Sequence, residues 1–189
     1  MLEKYIPVRL LKHSAWLTDK AATRLMQCAT ACIRDNGFKL PSAIIAFHPR
    51  TMSGFGEFAG AIGYCRTGEI HLPEWDMTQL VPGLGRDRMR IIFHEFGHLL
   101  IERVRQYMDT GRLCAAFGSY GGCQPTVMQE RDKCVSLYAT SNPEEDIADT
   151  FMMYIAHSGR VPCLWLRNVH ICRKWDIMRE LKQVSNEYL

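Results

Sequence analysis

The strongest pattern in the chain is Ile91-Ile92-Phe93-His94-Glu95-Phe96-Gly97-His98-Leu99-Leu100-Ile101, in which apolar runs enclose two histidines four positions apart. This pattern predicts a largely buried helix from about Arg86 to Met108, stopping near Gly111. Upstream, Leu25, Met26, Ala29, Cys32 and Ile33 form an apolar stripe. They predict a helix that starts at Thr18 or Asp19 and runs to about Asn36, with Gly37 as its stop. The unbroken apolar run Ala43 to Phe47 predicts a buried strand. Residues 58–65 and Glu69–Leu72 predict two strands joined by a turn at Arg66-Thr67-Gly68.

Residues 1–17 carry no clear pattern, and 111–141, with Gly118, Gly121, Gly122 and Pro125, predict an irregular lid. Asn142-Pro143 places a capping residue before a proline at the first helical position, so a helix is expected from 143 to about 158. A last helix is expected over about 164–187. Without an internal repeat or a long linker, residues 1–189 are expected to form one domain, with an N-terminal lobe over about 1–110 and a C-terminal lobe over about 111–189. The expected class is α+β, a small mixed twisted sheet packed on helices.

Composition narrows the function classes. Apolar residues make up 47% of the 189 and charged residues 23%, enough for an ordinary core. A net charge of +3 is too small to argue for nucleic acid or a membrane surface as partner. No apolar run approaches the ~20 residues that span a bilayer. The opening residues lack a signal-peptide shape, so the expected location as made is the cytoplasm, with any export by a signal-independent route. Eight cysteines are present, none in Cys-x-x-Cys, so a zinc knuckle is unsupported, and without an export signal reduced thiols are expected rather than disulfides.

The central stretch carries the chemistry. Histidines four apart on a helix lie only about 40° apart around its axis, so His94 and His98 can grip one metal ion. The pattern His-Glu-x-x-His is that of zinc hydrolases, with Glu95 placed as general base toward a water at the metal. Gly97 costs ~1 kcal/mol relative to Ala inside a helix, which implies a close neighbour there. Catalytic zinc normally takes three protein ligands. A third histidine in the metzincin position is excluded, because Ile101 and Val104 stand where Gly and His would be needed. The acidic start of the 143–158 helix offers Glu145 and Asp149, four apart on one face. One can bind metal while the other orients a ligand histidine. Glu145 also fits a capping box with Asn142, which would require no metal.

His94-Glu95-Phe96-Gly97-His98 together with Asn142-Pro143-Glu144-Glu145-Asp146-Ile147-Ala148-Asp149-Thr150-Phe151 resembles the gluzincin metallopeptidases. Within them it is most similar to the catalytic domain of anthrax lethal factor and its small bacterial relatives. That family carries an Asn-x-x-Glu-x-x-Ala-Glu-x-Phe run, and a tyrosine seven residues before the liganding glutamate. The resemblance covers about 91–101 and 136–153. It implies a zincin-like fold, Zn²⁺ held by His94, His98 and Glu145, Glu95 as general base, and Asp149 behind a ligand histidine. It also implies Tyr138 as a donor to the transition state. Asp149 stands where the family usually has the longer Glu.

The expected function is that of a zinc metalloendopeptidase. A protein or peptide substrate is expected to pair along an edge strand at Gly60, Ala61 and Ile62. The rival expectation is a catalytically inactive zincin-fold binding module or a structural zinc protein. The sequence does not fix an oligomeric state.

Overall fold

The structure, a computed structural model, describes residues 9–12, 19–48, 64–66, 68–73, 85–118 and 130–189. Four short strands form one mixed sheet: β1 (Arg9–Lys12), β2 (Ile44–His48), β3 (Tyr64–Arg66) and β4 (Glu69–Pro73). Their order is β1-β2-β4-β3, with β1 and β4 parallel to β2 and β3 antiparallel to β4. The sequence shows why β2 is central: Ile45, Ala46 and Phe47 are all buried, so both faces of the strand are covered. In β4 the buried Ile70 and Leu72 alternate with the half-buried Glu69 and His71. Gly68, at φ +85°, makes the turn between β3 and β4. The strand expected over 58–65 is described only from Tyr64, and it extends through Arg66. The expected substrate segment, Gly60, Ala61 and Ile62, lies outside the described residues.

Helix α1 (Asp19–Asp35) lies between β1 and β2 in the chain and buries Ala22, Met26, Ala29 and Ile33 at helical spacing. Helix α2 (Gly85–Val104) carries both histidines. It ends earlier than expected and passes into a 3₁₀ turn at Arg105–Tyr107. Gly111 is not a stop, because it lies inside a further helix, α3 (Thr110–Phe117), where an irregular lid was expected. The Asp109 side chain starts α3 by accepting the Arg112 N–H at 3.0 Å, and Leu113, Ala116 and Phe117 hold it to the core. Helix α4 (Pro143–Ala156) begins as expected, with Asn142 Oδ1 accepting the N–H groups of Glu144 and Glu145, each at 2.9 Å. Helix α5 (Val169–Tyr188) starts about five residues later than expected. Asn168 caps it by accepting from His170 and Ile171 at 3.0 and 3.1 Å, and the preceding Cys163–Trp165 forms a 3₁₀ turn. The chain is thus mixed α+β, mostly helical with a small sheet. No helix among the described residues is long and apolar enough to cross a membrane.

The closest helix pairing is between α2 and α4. A Cβ on Gly97 would stand 2.9 Å from Ala148 Cα and 3.2 Å from Phe151 Cβ, which is why a glycine is kept in the middle of α2. Gly97→Ala gains ~1 kcal/mol of helix propensity. It also drives a methyl into backbone that cannot swing away, and overpacking of that kind costs roughly 1–3 kcal/mol. The expected outcome is a lower Tm, by up to about 8 °C for a chain of this size, read by calorimetry. A Tm at or above wild type would mean that the two helices are not held this close.

A second contact fixes α4 from its other side. Lys174 on α5 forms a fully buried ion pair with Asp146 on α4. The ammonium also donates to the Lys133 carbonyl at 2.5 Å and lies 5.3 Å from the centre of the Phe117 ring. Thr150 Oγ1 donates to the other Asp146 oxygen at 3.4 Å. Removing one partner of such a pair strands a buried charge, typically at about 3–5 kcal/mol. Lys174 and Asp146 therefore set the position of α4, whose opposite face meets α2.

Candidate metal centre

The α2–α4 crossing brings His94 and His98 opposite Glu145 and Asp149. Glu145 Oε2 lies 3.0 Å from His94 Nε2 and 3.3 Å from His98 Nε2, and the two Nε2 atoms are 3.1 Å apart. Asp149 Oδ1 accepts from His94 Nδ1 at 2.7 Å. That bond holds one ring proton on Nδ1, so Nε2, which faces Glu145, is the nitrogen that His94 can present to a metal once its other proton is given up. Two imidazole nitrogens and a carboxylate oxygen thus converge within 4.8 Å of one another, a group able to hold a metal ion. Glu145 Oε2 is buried and makes no properly oriented hydrogen bond, although both rings are near it. An electron-rich oxygen left this way inside the fold is satisfied by a cation at the common centre. The donor set, two imidazoles and one carboxylate, suits zinc, although the same ligand types also serve other transition metals.

The electrostatics agree with the geometry. Burial pushes the His94 imidazole toward neutrality, but the Asp149 and Glu145 carboxylates against its ring outweigh that and raise its pKa to about 10. Burial would also raise Glu145, yet the two histidines hold its carboxyl well below the usual range. The cluster therefore favours positive charge between its carboxylates. Glu95, only 3% exposed, is different. Burial raises its pKa to about 7, against the pull of His94 and His98 and with help from the nearby Glu145 charge. Its Oε2 is buried with no hydrogen-bond partner. A carboxylate poised near neutrality with a free oxygen is suited to taking a proton.

Tyr138 begins the 3₁₀ turn Tyr138–Thr140 just before α4. Its ring centre is 5.8 Å from that of His94, and the residue is 59% exposed. Burial first, then the Glu145 and Glu95 charges and a hydrogen bond to Glu145, push its phenol up to about 12. The hydroxyl is thus protonated at neutral pH. Glu144, the neighbour of Glu145, is exposed.

On the sheet side, Cys65 of β3 is half-buried, and burial together with the charges of Glu95 and Glu102 pushes its thiol up to about 12. β3 thus packs against α2 with Cys65 within electrostatic reach of Glu95. Cys28, Cys32, Cys65, Cys163 and Cys172 are free thiols, while Cys123 lies outside the described residues.

All six residues singled out around the motif, His94, Glu95, His98, Tyr138, Glu145 and Asp149, meet at this place. Sequence patterning missed Ser136, which donates to Asp149 Oδ2 and has no motif to mark it. It also missed Lys174, although a lysine standing within the buried stripe Ile171, Trp175, Met178 and Leu181 was a readable sign of a buried partner. Compared with known proteins, the chain matches no family model, no curated protein and no solved structure.

Proposed function

We propose that this protein is a zinc-dependent metalloendopeptidase with a zincin-like fold. The observation that carries this reading is the convergence of His94 Nε2, His98 Nε2 and Glu145 Oε2, beside a buried Glu95 carboxylate that is not part of the cluster. Zinc held by the three would polarise a scissile carbonyl and lower the pKa of water. Asp149 keeps His94 in the tautomer that presents Nε2. Glu95 takes the proton from the attacking water on its free Oε2 and passes it to the leaving amine. Tyr138 donates its hydroxyl hydrogen to the oxyanion, a contact stronger in the transition state than in the bound peptide. The edge strand β3, packed against the helix that carries Glu95, supports an extended peptide that adds to the sheet by backbone pairing.

The test is metal-dependent hydrolysis of unfolded protein substrates. The purified chain is expected to bind about one zinc by the three-ligand logic. It should lose turnover in a chelator and regain it when zinc is restored. A folded chain that takes up no zinc, or one whose turnover ignores the chelator, would overturn the proposal.

A further inference from the structure

Ser136 lies between the metal cluster and the Tyr138 turn, and its hydroxyl is engaged on both sides. A serine hydroxyl has one proton to donate and lone pairs to accept with. Here the proton goes to Asp149 Oδ2, and the oxygen accepts the Ala139 N–H at 2.9 Å. Asp149 uses its other oxygen to hold His94 Nδ1 at 2.7 Å. The chain of contacts therefore runs from the Ala139 backbone through Ser136 and Asp149 to the His94 ring. Ala139 directly follows Tyr138 in the same turn, so one hydroxyl touches both the support of a candidate ligand and the backbone that carries the candidate oxyanion donor.

We propose that Ser136 is a positioning residue that couples metal occupancy to the placement of the Tyr138 turn. A carboxylate held at one oxygen only can rotate about its Cβ–Cγ bond. With both oxygens engaged, Asp149 presents a fixed acceptor to His94, and the His94 ring is fixed with it. Hydrogen bonds in such a chain polarise one another, so tightening at one end is felt at the other. Coupling of this kind is reciprocal: what orders the turn strengthens metal binding, and metal binding orders the turn. Ser136 thereby links assembly of the metal centre to the placement of the group that would meet the substrate.

The inference rests on the metal-binding part of the proposed function, and its test reads binding rather than hydrolysis. Zinc alone is titrated into the whole chain carrying Ser136→Ala, Asp149→Ala or both, and amide exchange at Ala139 is followed with and without zinc. Ser136→Cys, close in size but a poor donor, serves if Ser136→Ala does not fold. The expected result is a clearly weaker zinc affinity for the Ser136 variant, at most the roughly 10- to 100-fold that losing Asp149, the partner behind the ligand itself, would cost. With Asp149 already removed, losing Ser136 should cost nothing further, since the serine acts through that carboxylate. Zinc should slow exchange of the Ala139 amide in wild type and leave it unchanged in the Ser136 variant.

Wild-type zinc affinity in the folded Ser136 variants would overturn the proposal. So would an equal loss in both backgrounds, which is what a purely structural serine would give, or an Ala139 amide indifferent to zinc. A wild-type chain without zinc affinity would overturn this proposal and the metallopeptidase reading together. Intact Ser136-dependent zinc binding without any hydrolysis would overturn the metallopeptidase reading alone.

Discussion

Glu95→Gln is expected to reduce hydrolysis by about 10²–10⁴-fold, the range usually carried by a general base, while zinc content stays at the wild-type level. The carboxylate belongs to α2 but not to the ligand cluster, so the amide leaves all three metal contacts in place. Glu95 Oε2 is buried and makes no hydrogen bond, so exchanging it for an amide breaks none. Removing a carboxyl that burial has pushed up to about 7 also relieves a desolvated charge. The variant should therefore melt at or above the wild-type temperature. Zinc analysis, calorimetry and turnover on one cleaved substrate make a complete test. Near-normal turnover in Glu95→Gln would remove this residue from the mechanism.

The second large effect separates two adjacent acids. Glu145→Ala should weaken zinc binding by more than the roughly 10- to 100-fold typical of residues behind a ligand, because it deletes a ligand itself. Glu144→Ala should leave zinc affinity within about twofold of wild type, since its side chain is exposed and does not meet the histidines. A step of one residue turns a helical side chain by about 100°, so only one of the pair can face His94 and His98. Both residues stand in the first turn of α4 near Asn142, and their loss perturbs the helix end to a similar small degree. Equal zinc affinity in the two variants, read by titration calorimetry, would reduce Glu145 to an ordinary first-turn glutamate.

What the sequence made legible was whatever is written in local spacing. His94 and His98 share a face because a helix repeats every ~3.6 residues, and Gly97 announced a close neighbour because its propensity cost needed a reason. The start of α4 was legible because capping is a local contract among Asn142, Pro143 and the next N–H groups. The choice between Glu145 and Asp149 was not local. It depended on how far α4 slides along α2, and that distance is set by Gly97 against Ala148 and by Lys174 against Asp146. The helix α3 was hidden for another reason. Gly111 looks like a stop until Asp109 is seen to cap the next turn, and the glycine that ends a helix is Gly118, at φ +80°. Strand β1 was hidden because four residues are too few to show a period, and pairing with β2 defines it.

The Asp146–Lys174 pair also gives the site a timetable. A chain is made from its N-terminus, so α2 and then α4 are synthesised before the lysine that anchors α4. Lys174 follows Asp146 by 28 residues, which at ~5–20 residues per second is a delay of a few seconds. During that interval the Lys174 ammonium is missing from beside Asp146, and a carboxylate lacking its ion pair resists entering the core, so α4 settles less firmly against Gly97. His94 and His98 are then long since made but lack Glu145 at its final distance. The nascent chain thus carries the histidine motif before the three candidate metal-holding side chains are brought together, and their convergence waits on the docking of α5.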